Sequence, residues 1–211
     1  YLTGVTSTSA WTAYQNGDRN FCGNELPDGM RKNEAFPEPI ITPSTKAAQG
    51  EHDESVAPSE LYKRGAVDPG LYKELARISM RLYERGVSRA AEHGMIFVDT
   101  KYEFGISNGK IMLMDEVNTP DSSRYWMKDD YEDRFEKGEE PRKLDKEYVR
   151  TWLSEQGFTG DGKPPKLTDE IRVEASARYM EVVEKFTGEP MQLDVGPVDK
   201  SIYSILNPFA Y

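Results

Sequence analysis

Hydrophobic positions along this chain change period several times, and each change marks an element. The clearest stretch is helical. Leu71, Leu75, Ile78, Leu82 and Ala90 recur at helical spacing, Asp68 is placed to cap the segment and Pro69 takes its first position, which predicts a helix running down to Gly94. Directly after it, Met95-Ile96-Phe97-Val98 is a continuous apolar run and predicts a buried strand. Ile111-Met112-Leu113-Met114 predicts a second strand beyond a turn at Ser107-Asn108-Gly109. The last third returns to helical spacing, first in a short helix over residues 145–156 that carries Tyr148, Trp152 and Leu153. A longer helix is predicted over 168–186. Thr168 caps it, Asp169 and Glu170 suit its positive end, Ile171, Ala175, Tyr179, Val182, Val183 and Phe186 line one face, and Gly188 stops it.

The first 60 residues have no such period. Pro27-Asp28-Gly29 is a turn, and Phe36-Pro37-Glu38-Pro39 is extended because each proline fixes its own φ and restricts its predecessor. Ile40-Ile41 predicts a short strand. Thr42 to Lys46 and Gly50-Glu51-His52-Asp53-Glu54 form a polar loop without an apolar anchor, and a loop of that kind is either disordered or functional. The expected fold class is therefore α+β, a small antiparallel sheet or hairpin packed against several helices.

Composition narrows the function classes. With 37% hydrophobic and 30% charged residues among 211, the chain is a globular protein with a sizeable core. A net charge of -10 argues against a general nucleic-acid binder, and no apolar run is long enough for a membrane helix. A local basic pocket for a small anion stays compatible with that charge. Cys22, the one cysteine, has no internal partner, which points to a reducing, cytoplasmic setting. The start, Tyr1-Leu2-Thr3-Gly4, has neither an initiator methionine nor a leader pattern, and predicts a fragment with its upstream part missing.

The candidate chemistry lies around the second predicted strand. Along an extended segment, Asp99, Lys101 and Glu103 project to one side while Thr100, Tyr102 and Phe104 project to the other. A two-residue Asn-Gly loop would pair Glu103 with Met114 and send Asp115 to the opposite face. A three-residue loop, Ser107-Asn108-Gly109, pairs Lys101 with Asp115 and Glu103 with Leu113, and gathers Lys101, Glu103 and Asp115 on one surface; it is the expected arrangement. Neighbouring carboxylates of this kind suit Mg²⁺, which takes one or two of them together with phosphate oxygens. The competing reading is a surface ion-pair ladder. Thr119-Pro120-Asp121-Ser122-Ser123-Arg124 then offers a turn, a candidate helix N-terminus and an arginine, a combination suited to an anion. The acidic run from Asp129 to Asp133 reads as a solvated face or mobile loop, Trp11, Trp126 and Trp152 read as core or interface aromatics, and Gly160-Asp161-Gly162-Lys163 lacks the strand and spacing of a phosphate loop.

At these residues the chain resembles the SAICAR synthetase family of purine biosynthesis. The resemblance rests on Val98 to Gly105, on Asp115-Glu116, on Thr119 to Trp126, and upstream on Phe36 to Lys46 and Gly50 to Glu54; it runs in order over roughly residues 1–185. It implies an ATP- and Mg²⁺-dependent ligase that joins L-aspartate to carboxyaminoimidazole ribotide (CAIR) through an acyl phosphate. By this resemblance Glu103 and Asp115 hold the metal and Lys101 faces the ATP phosphates. Asp121, Ser122 and Arg124 bind CAIR with Ser9 as helper, and Lys46, His52 and Asp53 serve substrate or aspartate binding. Residues Val5 to Thr8 look like a small insertion, which leaves Ser7 or Ser9 open for that role. The family's ATP-binding lobe precedes Tyr1. The expected organisation is a loop-rich substrate segment over 1–60, an α+β domain for ATP, Mg²⁺ and CAIR over 61–189, and a tail over 190–211 that serves as an oligomer contact or a cap on the core. A kinase-like phosphotransferase and an inactive fragment of the ligase are the alternatives.

Overall fold

The computed structural model describes residues 1–6, 8–45, 54–158, 162–191 and 196–197. In chain order these form α1 (Ala10–Gln15), the strands β1 (Asn20–Phe21) and β2 (Asn24–Glu25), α2 (Pro58–Lys63), α3 (Pro69–Glu92), β3 (Met95–Thr100), β4 (Glu103–Ser107), β5 (Lys110–Met114), β6 (Ser123–Met127), α4 (Tyr131–Lys137), α5 (Glu147–Glu155) and α6 (Asp169–Thr187). The predicted α+β class holds. All three sheets are antiparallel pairs: β1 with β2, β3 with β6, and β4 with β5.

The central pair is β3 with β6, and both its faces are covered. Met95, Phe97, Val98, Tyr125, Trp126 and Met127 are all buried. On one side Phe97, Tyr125 and Met127 join Ala90 of α3, Leu144 and Val182 of α6, with Tyr83 and Phe186 packed around them. On the other, Trp126 stacks on Tyr131 of α4 and meets the ring of Tyr1 edge-on. A second, smaller cluster of Leu2, Tyr14 and Leu26 anchors the N-terminal loops, drawing in Trp11, Phe21, Phe36 and Ile40. Gly86 permits the close approach of α3 to β3, since a Cβ there would lie 2.7 Å from the Phe97 ring.

Helix ends follow the predicted chemistry. The Asp68 carboxylate accepts from the N–H groups of Gly70 and Leu71 at 2.8 and 3.2 Å, Thr168 accepts from Ile171, and Gly188 closes α6 in the left-handed region. Several expectations need correction. Residues 40–41 form no strand, because the Ile41 carbonyl is taken by the Asn24 side-chain amide at 2.9 Å rather than by a ladder partner. The region from Ser123 is strand β6, not a helix N-terminus, and its buried residues lie against β3. Of the two readings of residues 129–133 the solvated face holds and the mobile loop does not: Asp129, Glu132 and Asp133 are exposed, α4 starts at Tyr131, and Asp130 pairs with Arg134 and Arg142. The bulk of the 190–211 tail lies outside the described residues.

Candidate functional site

The site forms where the β3–β6 pair hands over to the β4–β5 hairpin. The extended segment read from the sequence as one strand is two. β3 ends at Thr100, the Lys101 N–H donates to the Ser122 carbonyl at 3.1 Å, and β4 begins at Glu103. The hairpin turn is also corrected. Ser107 pairs with Lys110 and Glu103 with Met114, so the loop is the two residues Asn108 and Gly109, not three. Both sit at positive φ, 51° and 74°, the conformation that lets an Asn-Gly turn follow the strand twist. In that register strict alternation would turn Asp115 away. Asp115 lies just past the end of β5, however, with its own φ at +64°, and this kink returns its carboxylate to the Lys101 side.

The predicted cluster therefore assembles by a different route. Lys101 Nζ donates to Glu103 Oε1 at 2.7 Å and lies 3.8 Å from Asp115 Oδ2. Lys101 and Asp115 are both well exposed, and exposed pairs contribute only about 0–1 kcal/mol to stability, so fold maintenance does not account for three charges here. Among the described residues, no three His, Cys, Asp or Glu side chains form a metal site. Two carboxylate oxygen donors sharing one ammonium are still a set that suits a hard cation whose remaining ligands come from phosphate and water.

A second set of charges surrounds Arg124 on β6. Its guanidinium donates to Asp99 Oδ2 at 2.5 Å and to Glu147 Oε1 at 3.4 Å, and Glu147 also pairs with Arg150. Burial opposes the charge on Arg124, but Asp99, Glu147 and Asp145 outweigh it and hold the guanidinium more firmly protonated than usual. Asp145 is almost fully buried. Its carboxylate accepts from the Tyr125 N–H at 3.0 Å and the Glu147 N–H at 2.8 Å, tying β6 to the start of α5, and burial pushes its pKa up to about 6 despite those bonds.

Between the two sets lies the loop joining β5 to β6. Asp121 is held below the usual carboxylate range by a hydrogen bond with Glu116 and by Lys146, whose Nζ is 3.4 Å from Asp121 Oδ1, and by Lys101. Ser122 contacts the hydroxyls of Thr119 and Ser123 at 3.3 and 3.2 Å. Ser9 caps α1, accepting from the Thr12 N–H and donating to the Thr6 carbonyl at 2.8 Å. It also sits against Gly4, whose backbone adjoins Arg124: a Cβ on Gly4 would lie 2.5 Å from Ser9 Cβ and 3.6 Å from Arg124 Nη2. Ser7, Lys46, His52 and Asp53 lie outside the described residues. Sequence reasoning left Glu116, Lys146 and Glu147 out of the site, and Asp99 without a role. The available signal was the Asp145-Lys146-Glu147 run at the start of a predicted helix, charged positions that only α5 packing against β6 brings inward. A surface groove of about 530 Å³ beside Gly17, Arg19 and Leu26 contains none of the predicted site residues.

Fold and site together define an α+β protein that concentrates acids and cations where two antiparallel pairs meet, an arrangement fitted to small anionic ligands. The chain belongs to the SAICAR synthetase family, whose model matches residues 1–185. It is 53% identical over 190 residues to the phosphoribosylaminoimidazole-succinocarboxamide synthase of Bacteroides thetaiotaomicron, an alignment covering 89% of this chain and 60% of that protein. Among solved structures it is similar to the SAICAR synthase of Saccharomyces cerevisiae complexed with SAICAR, with a TM-score of 0.70 and 33% identity over 90% of this chain and 59% of that one. It is also similar to a SAICAR synthetase in complex with ADP, with a TM-score of 0.57 and 26% identity over 78% of this chain and 57% of that one. The chain spans about 60% of the length of the curated relatives it matches.

Proposed function

We propose that this chain carries the substrate and phosphate-handling part of an ATP-dependent ligase that joins L-aspartate to CAIR to give SAICAR, in the cytoplasm. The observation that carries the reading is the joint presence, in a chain of this family, of the Lys101–Glu103–Asp115 cluster at the β4–β5 hairpin and the Arg124 set on the β3–β6 pair. The relatives found with bound SAICAR and with bound ADP support both halves of the ligand set.

In this reading Glu103 and Asp115 would hold Mg²⁺, which would supply charge neutralisation at the ATP phosphates. Lys101 keeps its ammonium between those carboxylates and turns it toward the same phosphates. Arg124, Asp121 and Ser122 seat CAIR, with Ser9 beside Gly4 as a further contact, and Lys46, His52 and Asp53 are assigned to substrate or aspartate binding. The CAIR carboxylate attacks the γ-phosphorus and ADP leaves. The resulting acyl phosphate is attacked by the aspartate amine, the amide bond forms, phosphate departs with the C–O electron pair and the amine gives up its proton. Little covalent chemistry falls to the protein. Its residues align three anionic reactants and offset their repulsion.

The test is ADP release by the complete gene product. Release that requires both CAIR and aspartate is expected; turnover without aspartate would replace the ligase by a phosphotransferase.

A further inference from the structure

The loop from Asp115 to Ser122 joins the two halves of the site, and two of its residues are held in the left-handed region. Asp115 and Asn118 both have positive φ, 64° and 57°, a region that Asp and Asn enter more readily than other non-glycine residues and that surrounding contacts hold here. The contacts that do so converge on Asn118. The Tyr102 hydroxyl donates to Asn118 Oδ1 at 2.7 Å, and the hydroxyl of the fully buried Tyr125 donates to the Asn118 carbonyl at 2.5 Å. Behind it, a Cβ on Gly86 of α3 would come within 3.0 Å of Asn118 Nδ2, so the amide rests directly on the helix.

Those partners stand at informative places. Tyr102 is the residue between Lys101 and Glu103, pointing inward while both neighbours point to the charge cluster. Tyr125 follows Arg124 on β6. The far end of the loop is fixed separately, by Ser123 N–H on the Thr119 carbonyl at 2.9 Å and by the Thr119 hydroxyl on Glu116. One side chain and its own carbonyl thus connect the strand break that presents Lys101 and Glu103, the kink that presents Asp115, and the strand that presents Arg124.

We infer that Asn118 is a positioning residue that sets the two halves of the site, the metal-phosphate cluster and the CAIR set, in one fixed relation through Tyr102 and Tyr125. This rests on the ligase reading given above. Asn118 touches no reacting atom; it acts through the residues on either side of its two tyrosine partners. Loosening it therefore weakens ATP and CAIR together.

The experiment is steady-state kinetics on the complete gene product carrying Asn118→Gly, which keeps the positive φ and removes the amide, and Tyr102→Phe, which keeps the ring and removes the hydroxyl. For each variant the KM values of ATP and CAIR are expected to rise together, each about tenfold, and the double variant is expected to be no worse than the poorer single one. Should Asn118→Gly fail to fold, Tyr102→Phe alone carries the test. An active wild type with variants that lose thermal stability but keep all three KM values overturns the inference, as does a rise confined to one of the two substrates. A wild type that forms no ADP from CAIR and aspartate overturns the ligase reading, and this inference falls with it.

Discussion

Asp145 shows how much a single buried carboxylate decides here. Burial raises its pKa to about 6, above the ordinary value for an aspartate. A folded-state pKa above the unfolded one means the folded protein binds the proton more tightly. The stability this supplies is fully present at low pH and is lost as pH rises through about 6. Comparing wild type with Asp145→Asn by urea unfolding, the wild type's relative stability should fall between pH 4 and pH 6 and level off above 7. A constant difference across that range would show that Asp145 titrates normally. At Glu103 and Asp115 the outcome is functional instead. Each →Ala change removes a carboxylate that lies outside the buried core and should leave the circular dichroism spectrum unchanged while cutting ligase turnover at least a hundredfold; near-wild-type rates would remove both from the metal role. Type and spacing made these acids candidates beside a plain ion-pair ladder, and the family resemblance gave them their role. Asp145 could not be picked out that way: its place depends on two backbone N–H groups, one on a strand and one opening a helix, that meet only in the folded chain.

At the level of elements, local signals were legible wherever a short-range rule decides. Asp68 with Pro69, and Thr168 with Gly188, fixed the ends of α3 and α6 because capping acts within one turn. The hairpin was harder. Ser107-Asn108-Gly109 is compatible with two loop lengths, and the observed two-residue loop keeps Asp115 in the cluster only through a left-handed residue beyond the strand end. Nothing in the alternation of side chains announces such a kink. Strand β6 was missed for a related reason: its residues Ser123 to Met127 follow a turn signal and become a strand by pairing with β3, a long-range event. Gly86 gives this scale its prediction. Replacing it by alanine drives a Cβ into the Phe97 ring, where overpacking typically costs about 1–3 kcal/mol, so Gly86→Ala should lower the thermal midpoint by several degrees. An unchanged midpoint would mean that α3 can shift away from β3 freely.

Taken whole, the molecule buries its central strand pair from both sides and leaves the β4–β5 hairpin projecting, with Ile106, Met112 and Met114 exposed. The rigid pair fixes Arg124, and the projecting hairpin carries Glu103 with Asp115 just beyond it. Composition alone does not set this division, since the apolar run Ile111 to Met114 stays largely exposed while those at residues 95–98 and 125–127 are covered by helices. The central claim is that these charges activate a carboxylate for amide formation. Isotope transfer tests it most directly. When the complete gene product turns over CAIR labelled with ¹⁸O in its carboxylate, together with ATP and aspartate, the released inorganic phosphate should carry one ¹⁸O atom per turnover, because the carboxylate oxygen that attacked phosphorus leaves with it. SAICAR formed with unlabelled phosphate would contradict the acyl-phosphate route and the role assigned to the Lys101–Glu103–Asp115 cluster.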